Sequence, residues 1–301
     1  MKFLTLENGQ LGALIDTNHG ATVVDLMLAS QSLGEFIEYK TMAQLVAADE
    51  AACQQVWALA KEAIGEHIIA CRPLSEVKPL APLPDLRRNI ICLGKNYREH
   101  AAEMARKMDT GDAIPQYPIF FTKATTALIG TGEPIPAHRE ITHKLDYEAE
   151  LAIIIGKGGR DISRQQAMDH VFGYTAFNDV SARDLQGNHM QWYRGKSLDG
   201  FAPMGPIVVH RSAMPPPEEI EIRCFVNGEQ RQRATLADLI FDIPSIIETL
   251  SAGATLLPGD IIATGTPAGV GMGFSPARYL QPGDEVVVEI SGAGRLVNRV
   301  A

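Results

Sequence analysis

The sequence predicts an α+β fold that is mostly β. Short apolar runs are separated by glycine- and proline-rich turns, which is typical of strands joined by tight loops. Two Pro-Gly-Asp turns, at residues 258–260 and 282–284, each precede such a run. Helical patterns do not alternate regularly with the strands, as a parallel βαβ sheet would require. These observations favour a mixed, strand-rich core with a few helices.

The N-terminal part predicts a small α/β domain over residues 1–72. Two apolar runs flank Asn8-Gly9, a hairpin signal because both residues tolerate positive φ. Thr41 is placed to cap a helix expected from Met42 to Ile64. Four prolines then fall within residues 73–84, and proline fixes φ and removes a backbone donor. We therefore expect a connector over residues 73–85 and a second domain over residues 86–301.

Composition excludes several classes of protein. The formal net charge of −9 argues against a general nucleic-acid binder, which normally presents a basic face. No run of 18 apolar residues exists, and the N-terminus lacks the pattern of a secretory signal. The four cysteines show no metal-ligand spacing and no CxxC pair. We expect a soluble cytoplasmic protein with no nucleic-acid or membrane partner.

The second domain carries the clearest strand patterns. A helix is expected over 98–108, and strands over the ranges 89–93, 148–155, 171–177, 207–210, 220–226, 260–263 and 285–290.

Two glutamates stand at the start of one of these strands, in Asp146-Tyr147-Glu148-Ala149-Glu150. Residues two apart in a strand point to the same face, so Glu148 and Glu150 lie side by side. One interpretation is a solvated face on an edge strand. The other is a site for a hard divalent cation, which neutralises adjacent carboxylates that are losing hydration.

A third acid, Asp179, follows the apolar strand that ends at Asn178. Strand ends often carry functional side chains, although Asp179 also suits a turn. The next residues, Ser181 to Asp184, suggest a helix start with a capping box.

The expected helix 98–108 carries His100 and Glu103 on one face, three residues apart. A carboxylate on one imidazole nitrogen fixes the tautomer and leaves the other nitrogen free to take a proton. The alternative is an exposed helix pair of small energetic effect.

Two further segments suggest polar contacts to a ligand. Lys196 lies among aromatic and glycine residues, where burial would let its charge stabilise an oxyanion, although most lysines are solvated. The loop Thr264 to Gly273 could bind an anion through backbone N–H groups and the Thr266 hydroxyl. It lacks the lysine and the spacing of a P-loop, which excludes a nucleotide-binding interpretation.

Together these segments resemble the fumarylacetoacetate hydrolase superfamily, in the family's order from residue 89 to the C-terminus. The matching segments are ICLGKNYREHAAEM, LDYEAELAIIIGK, GYTAFNDVSARDLQ, KSLDGFAPMGP, VNGEQRQ and LPGDIIATGTPAGVG. The resemblance implies a mixed β-sandwich roll, a two-domain bacterial member and a homodimer. The sequence departs from the family at Lys95, the variable position of G-x-N-Y, and at Thr122-Lys123-Ala124, which replaces a commoner L-K-P.

The resemblance also assigns roles to particular residues. It implies Mg²⁺, with Mn²⁺ or Ca²⁺ as alternatives, on Glu148, Glu150 and Asp179. It implies a catalytic dyad of His100 and Glu103, an active-site lysine at Lys196, and substrate contacts from Thr266 and Gln186. The residues after Met108 and around Gly271 are expected to select the substrate.

The resemblance implies a small 2-oxo acid as substrate and an enolate in the reaction. We expect hydrolysis of a C–C bond in an acylpyruvate-like β-diketo acid. Decarboxylation, isomerisation or tautomerisation of a 2-oxo dicarboxylate is the first alternative, because each uses the same enolate. A metal-stabilised binding protein without catalysis is the second.

Overall fold

A computed structural model of the chain describes residues 1–18, 20–66, 69–108 and 114–301. Within these ranges the α-helices are α1 (Leu26–Leu33), α2 (Met42–Val46), α3 (Glu50–Gly65), α4 (Arg98–Met108), α5 (Arg183–Asn188), α6 (Tyr193–Lys196) and α7 (Ile243–Ser251). None of the helices in the described part of the chain is long and apolar enough to cross a bilayer.

Strands outnumber helices and are mostly short. They are β1 (Lys2–Thr5), β2 (Leu11–Thr17), β3 (Gly20–Asp25), β4 (Cys71–Pro73), β5 (Ile90–Gly94), β6 (Ile119–Lys123), β7 (Leu128–Ile129), β8 (Leu145–Asp146), β9 (Ala149–Ile155), β10 (Gly159–Arg160), β11 (Val171–Asn178), β12 (Ser181–Ala182), β13 (Ala202–Pro203), β14 (Ile207–His210), β15 (Glu221–Val226), β16 (Glu229–Thr235), β17 (Thr255–Leu256), β18 (Ile261–Ala263), β19 (Glu285–Ile290) and β20 (Gly294–Arg299).

A ten-stranded mixed sheet forms the body of the protein, in the order β4-β3-β2-β1-β14-β11-β9-β18-β5-β6. Its pairs are antiparallel except β18 with β5, which run parallel. A four-stranded sheet, β16-β15-β19-β20, packs with β15 and β19 against β9 and β11. The prediction of an α+β fold dominated by strands is confirmed.

The N-terminal strands belong to the same sheet as the rest. The Asn8-Gly9 hairpin is confirmed, because β1 and β2 pair across it and Gly9 has a φ of +80°. The other side of β1 pairs with β14, with Phe3 opposite Val208. The division into residues 1–72, 73–85 and 86–301 stays a prediction. After a short 3₁₀ turn at Leu74–Glu76, no helix or strand of the described chain occurs until β5.

The single helix expected from Met42 to Ile64 is wrong in one respect, because the structure divides it into α2 and α3. Ala47 ends α2, and Asp49 is the N-cap of α3, accepting a hydrogen bond from Ala52 N at 2.9 Å. A carboxylate at this position satisfies a free N–H group of a new helix better than it supports a continuous one. The capping box of α2, from Thr41 to Gln44, is present.

Strand β9 lies at the centre of the large sheet, between β11 and β18. All seven of its residues are buried, and so are all eight of β11. These strands read as continuous apolar runs because both of their faces are covered, one of them by the smaller sheet. The first residues of β9 and the last residues of β11 lie side by side at one end of the two strands, and this end carries the acidic residues.

The contact between β11 and β14 depends on a glycine. A Cβ atom at Gly173 would lie 2.3 Å from the carbonyl oxygen of Val209, so an added methyl group collides with backbone. We expect Gly173→Ala to lower the free energy of unfolding by roughly 2–3 kcal/mol, measured by urea denaturation. The control is Gly65→Ala, at the end of α3, where a Cβ meets nothing within 4 Å. That variant should leave stability unchanged or raise it by up to about 1 kcal/mol. Equal stabilities for the two variants would contradict the close approach of β11 and β14.

Candidate metal centre and active site

Three carboxylates meet at the end of the two central strands, where β9 begins and β11 ends. Glu148 precedes β9, Glu150 is its second residue, and Asp179 directly follows β11. The strands are antiparallel, with Glu150 opposite Phe177, so the end of β11 lies beside the start of β9. The backbone N–H of Asp179 donates to the carbonyl oxygen of Glu148 at 2.8 Å. One oxygen from each of the three carboxylates lies within 4.8 Å of the others.

These carboxylates are not solvated. The exposed fraction is 5% for Glu148, 1% for Glu150 and 0% for Asp179. The strand is central and not at an edge, which excludes the interpretation of a solvated glutamate face. Neighbouring buried carboxylates repel each other, so the fold must supply positive charge around them.

Three buried cations supply that charge. Lys196 Nζ bridges Glu148 Oε2 at 2.7 Å and Asp179 Oδ2 at 2.8 Å. Lys123 Nζ contacts the other Asp179 oxygen at 2.5 Å and also donates to the carbonyl oxygen of Val180. Arg183 Nη2 lies 2.6 Å from Glu148 Oε1, a close ion pair although it does not meet hydrogen-bond geometry.

The cations act unequally on the glutamates. Burial alone would raise the pKa of Glu148, but Arg183 and Lys196 hold that pKa well below its usual range. The pKa of Glu150 is raised well above its ordinary value, first by burial and then by Asp179 and Glu148. Glu150 Oε2 accepts a hydrogen bond from Gly265 N at 2.8 Å, and no cation of the described chain forms an ion pair with it.

The donor set fits a hard divalent cation. Carboxylate oxygens are the ligands that Mg²⁺, Mn²⁺ and Ca²⁺ prefer. With Asp146, which pairs with Arg183, the cluster holds four carboxylates against the three cations, so one negative charge lacks a partner when all are ionised. Glu150 is the carboxylate without an ion pair, and so the residue that gains most from an ion. The three predicted ligands therefore form a candidate metal centre.

The predicted helix 98–108 is confirmed as α4, and it places the His-Glu pair against this centre. His100 Nδ1 lies 3.1 Å from Glu103 Oε2. The exposed-pair interpretation is wrong, because His100 is 5% exposed and lines the same small space as Glu148 and Glu150. Glu103 is held from its other side, where Gly269 N donates to Oε1 at 3.0 Å. The imidazole Nε2 is the nitrogen left for proton transfer.

The glycine-rich loop holds acidic side chains of the protein through backbone N–H groups. Gly271 N and Met272 N donate to Asp146 at 2.7 and 2.9 Å, and Asp146 in turn accepts from Arg183 Nε at 2.8 Å. A Cβ at Gly273 would lie 2.1 Å from Glu103 Oε1. The loop thus orients Arg183 and Glu103 together, and it needs glycine where Glu103 passes.

The predicted substrate contacts lie in the same space. Thr266 and Gln186 both line it. The Thr266 hydroxyl donates to the Ala149 carbonyl at 2.9 Å and accepts from Gln232 at 2.8 Å, so it is fixed before any ligand binds. Gln186 Oε1 accepts from Arg183 Nη1 at 3.1 Å, which leaves the amide N–H groups as donors.

Sequence reasoning missed several residues of the site. Lys123 and Arg183 are fully embedded in the charge cluster, and Trp192 lines the space beside it. Arg183 had a local signal, since it stands four residues after Asp179 in a segment already singled out. The capping box expected there is wrong: Ser181 and Ala182 form β12, and the N-cap of α5 makes no side-chain hydrogen bond. Residues 109–113, part of the segment expected to select substrate, lie outside the described residues.

The chain is similar to known proteins in both sequence and structure. The sequence profile of the fumarylacetoacetate (FAA) hydrolase C-terminal family matches residues 89–301. Oxaloacetate tautomerase YisK of Bacillus subtilis (strain 168) is 52% identical over 227 residues, covering 75% of this chain and 74% of that protein.

Two solved structures are similar over nearly their whole length. One is a fumarylacetoacetate hydrolase from psychrophilic Exiguobacterium antarcticum, with a TM-score of 0.79, 37% identity and coverage of 100% of this chain and 99% of that one. The other is maleylpyruvate hydrolase from Sphingobium sp. SYK-6, with a TM-score of 0.76, 30% identity and the same coverage.

The fold is that of an enzyme superfamily whose relatives include hydrolases and a tautomerase. The chain belongs to the fumarylacetoacetate hydrolase family.

The raised pKa of Glu150 predicts how metal binding depends on pH. A divalent ion needs the ionised carboxylate, so below the raised pKa binding must release the Glu150 proton. We expect the affinity for Mg²⁺ to rise with pH, by up to about tenfold per pH unit. In the metal-free protein the stability of the fold changes with pH in the opposite direction. The raised pKa means that the folded protein binds the Glu150 proton more tightly than the unfolded chain does. This group therefore stabilises the fold at low pH, and the stabilisation is lost as pH rises.

Calorimetric titration with Mg²⁺ in buffers of different ionisation enthalpy measures the released proton directly. Glu150→Gln should bind more weakly and lose most of the pH dependence. An affinity for the wild type that does not change with pH would contradict the assignment of Glu150 as the protonated ligand.

Proposed function

We propose that this protein catalyses enolisation of a compact 2-oxo dicarboxylic acid of the oxaloacetate type, interconverting its keto and enol forms. The observation that carries the proposal is the small space at the acidic centre. About 40 Å³ lies between the carboxylates, the His100–Glu103 dyad and an apolar wall. The 52% identity to a protein named oxaloacetate tautomerase supports the same reaction.

The site would suit an anionic substrate once a divalent ion is bound, because the two positive charges of the ion would turn the one excess negative charge of the cluster into one positive charge. Lys196, Arg183 and Lys95 line the space, and Lys196 and Arg183 are buried. Glu148, Glu150 and Asp179 would hold a divalent ion, Mg²⁺ being the first candidate among oxygen-seeking metals. When bound, such an ion polarises the 2-oxo group as a Lewis acid and so acidifies the neighbouring C–H bond.

The residues of the chain then move the proton. Nε2 of His100, with Nδ1 fixed by Glu103, takes a proton from C3 of the acid. The C–H electron pair becomes the C2–C3 double bond and the C=O π pair moves onto the 2-oxo oxygen. That oxygen then takes the proton from the His100 imidazolium to give the enol hydroxyl. Although burial opposes its charge, Asp179 and Glu148 raise the pKa of Lys196, so its ammonium is the cation that faces the developing negative charge. Gln186 orients the carboxylate through its amide N–H groups, and Thr266 joins it when its hydroxyl turns from the Ala149 carbonyl to the substrate.

Hydrolysis of a C–C bond in an acylpyruvate is the second candidate, and the dyad favours it. The same His100 Nε2 can take a proton from water, and the hydroxide so formed attacks the distant carbonyl of the β-diketo acid. Collapse of the tetrahedral adduct breaks the C–C bond and releases a carboxylic acid. The electron pair of that bond becomes the pyruvate enolate, which takes the proton back from His100. The similarity to a maleylpyruvate hydrolase supports this alternative. A binding protein without catalysis has no use for the buried His100–Glu103 pair beside the carboxylates.

The reaction is tested on the purified protein with Mg²⁺, with EDTA as the control. Oxaloacetate, acetylpyruvate and fumarylpyruvate are offered separately, and products and C3 proton exchange in D₂O are followed by NMR. We expect EDTA-sensitive keto–enol exchange of oxaloacetate above the uncatalysed rate. Pyruvate plus a second carboxylic acid would establish hydrolysis, and pyruvate plus CO₂ would establish decarboxylation. Catalysis that EDTA leaves untouched would refute the metal centre.

The dyad is tested through the glycine that gives it room. Gly273→Ala should push the Glu103 side chain away from Gly269 and His100 while the backbone stays in place, because the atoms it meets belong to a flexible side chain. We expect turnover to fall by about 10²–10⁴-fold, the range for loss of a general base, with kcat affected more than KM. Glu103→Gln should show a similar loss, and Gly65→Ala none. A fully active Gly273→Ala protein with an unchanged melting temperature would contradict the role of the dyad.

A further inference from the structure

The space beside the carboxylates ends at an apolar wall. Its apolar lining residues are Leu93, Met104, Phe121, Trp192 and Met272. The space itself is small, about 40 Å³. The polar head of a 2-oxo acid is drawn to the charged side of this space, and any further carbon atoms must therefore reach the apolar wall.

Trp192 is held firmly in that wall. Its ring meets Phe121 edge to face, with centroids 5.3 Å apart and an interplanar angle of 68°. Phe121 in turn lies under Lys196, whose Nζ is 5.0 Å from the ring centroid. Gly94 allows the indole to approach the backbone of β5, since a Cβ there would lie 2.4 Å from Trp192 Cζ3. The indole thus packs on one side against backbone and on another against the ring that contacts Lys196.

The position of Trp192 in the chain also ties it to the site. It lies between α5, which carries Gln186, and α6, which carries Lys196. Its carbonyl oxygen accepts from Gly195 N at 2.9 Å, closing the turn that begins α6. The neighbouring Met190 faces away, with 98% of its surface exposed. Trp192 is half-buried and points its ring into the wall.

We propose that Trp192 is a specificity-determining residue that limits the length of the acid, excluding chains longer than that of a four-carbon dicarboxylate. This inference rests on the proposed function, because it assumes that a 2-oxo acid binds with its polar head at the carboxylate cluster. A large planar side chain backed by Phe121 and the Gly94 backbone cannot move aside without breaking both contacts. Replacing Trp192 by a smaller residue enlarges the space on its apolar side and removes no charged group from the site.

The experiment compares Trp192→Ala and Trp192→Leu with the wild type, using Met190→Ala as the control. C3 proton exchange in D₂O with Mg²⁺ is measured by NMR for oxaloacetate and for the seven-carbon fumarylpyruvate. We expect the ratio of kcat/KM for the long acid over the short one to rise about tenfold or more in Trp192→Ala, and by less in Trp192→Leu. Met190→Ala should keep the wild-type ratio within about twofold.

Thermal stabilisation by Mg²⁺ with oxalate provides the readout of site integrity, because two-carbon oxalate is too short to reach the wall. Both Trp192 variants should keep it. An unchanged ratio in variants that keep this stabilisation overturns the proposal. Loss of oxalate stabilisation in both variants also overturns it, since Trp192 would then build the site and not limit it.

Failure of the proposed function is seen separately, in the wild type. If the wild type does not enolise oxaloacetate, the length limit is measured by binding alone. The melting-temperature shift that Mg²⁺ with fumarylpyruvate produces is then compared with the shift that Mg²⁺ with oxalate produces. A larger relative shift in Trp192→Ala than in the wild type supports the wall, and an equal shift overturns it.

Discussion

The structure depends on burying like charges next to one another. Glu148, Glu150 and Asp179 are almost completely withdrawn from water at the meeting point of two central strands. Desolvation and mutual repulsion would favour their neutral forms, so the surrounding residues exist largely to offset that cost. Lys196, Lys123 and Arg183 each form an ion pair with one or two of them, and only Glu150 is left to a backbone N–H group. Such an incomplete balance makes the centre receptive to a divalent ion.

Backbone groups carry much of the positioning around this centre. Gly265 N contacts Glu150, Gly269 N contacts Glu103, and Gly271 N contacts Asp146. A backbone N–H on a closed loop has little freedom to relax, so it fixes a carboxylate more firmly than a long side chain would. Glu150, the dyad and, through Asp146, Arg183 therefore share this loop as a common support. A change in the loop would affect all of them together.

The sequence predicted the parts of this structure that local physics determines. Alternation along residues 148–155 placed Glu148 and Glu150 on one face, and helical spacing paired His100 with Glu103; both depend on neighbours a few residues apart. Lys123 could not be found this way, because its partner Asp179 lies 56 residues away and the pairing depends on sheet order. The break at Asp49 was missed because the apolar spacing of α2 continues in phase into α3. Burial of the carboxylates, which decides between a solvated face and a metal centre, followed only from the family resemblance.

The pairing of β1 with β14 has a consequence for where this protein can be divided. The family profile begins at residue 89, but the sheet that carries Asp179 continues through β14 into β1 and β2. A recombinant fragment starting at residue 89 would leave the buried apolar strand Ile207–His210 with an unpaired edge. Such an edge is a template for pairing with another copy, so the fragment would be prone to aggregate. The unit recognised by sequence similarity is therefore smaller than the unit that completes the sheet.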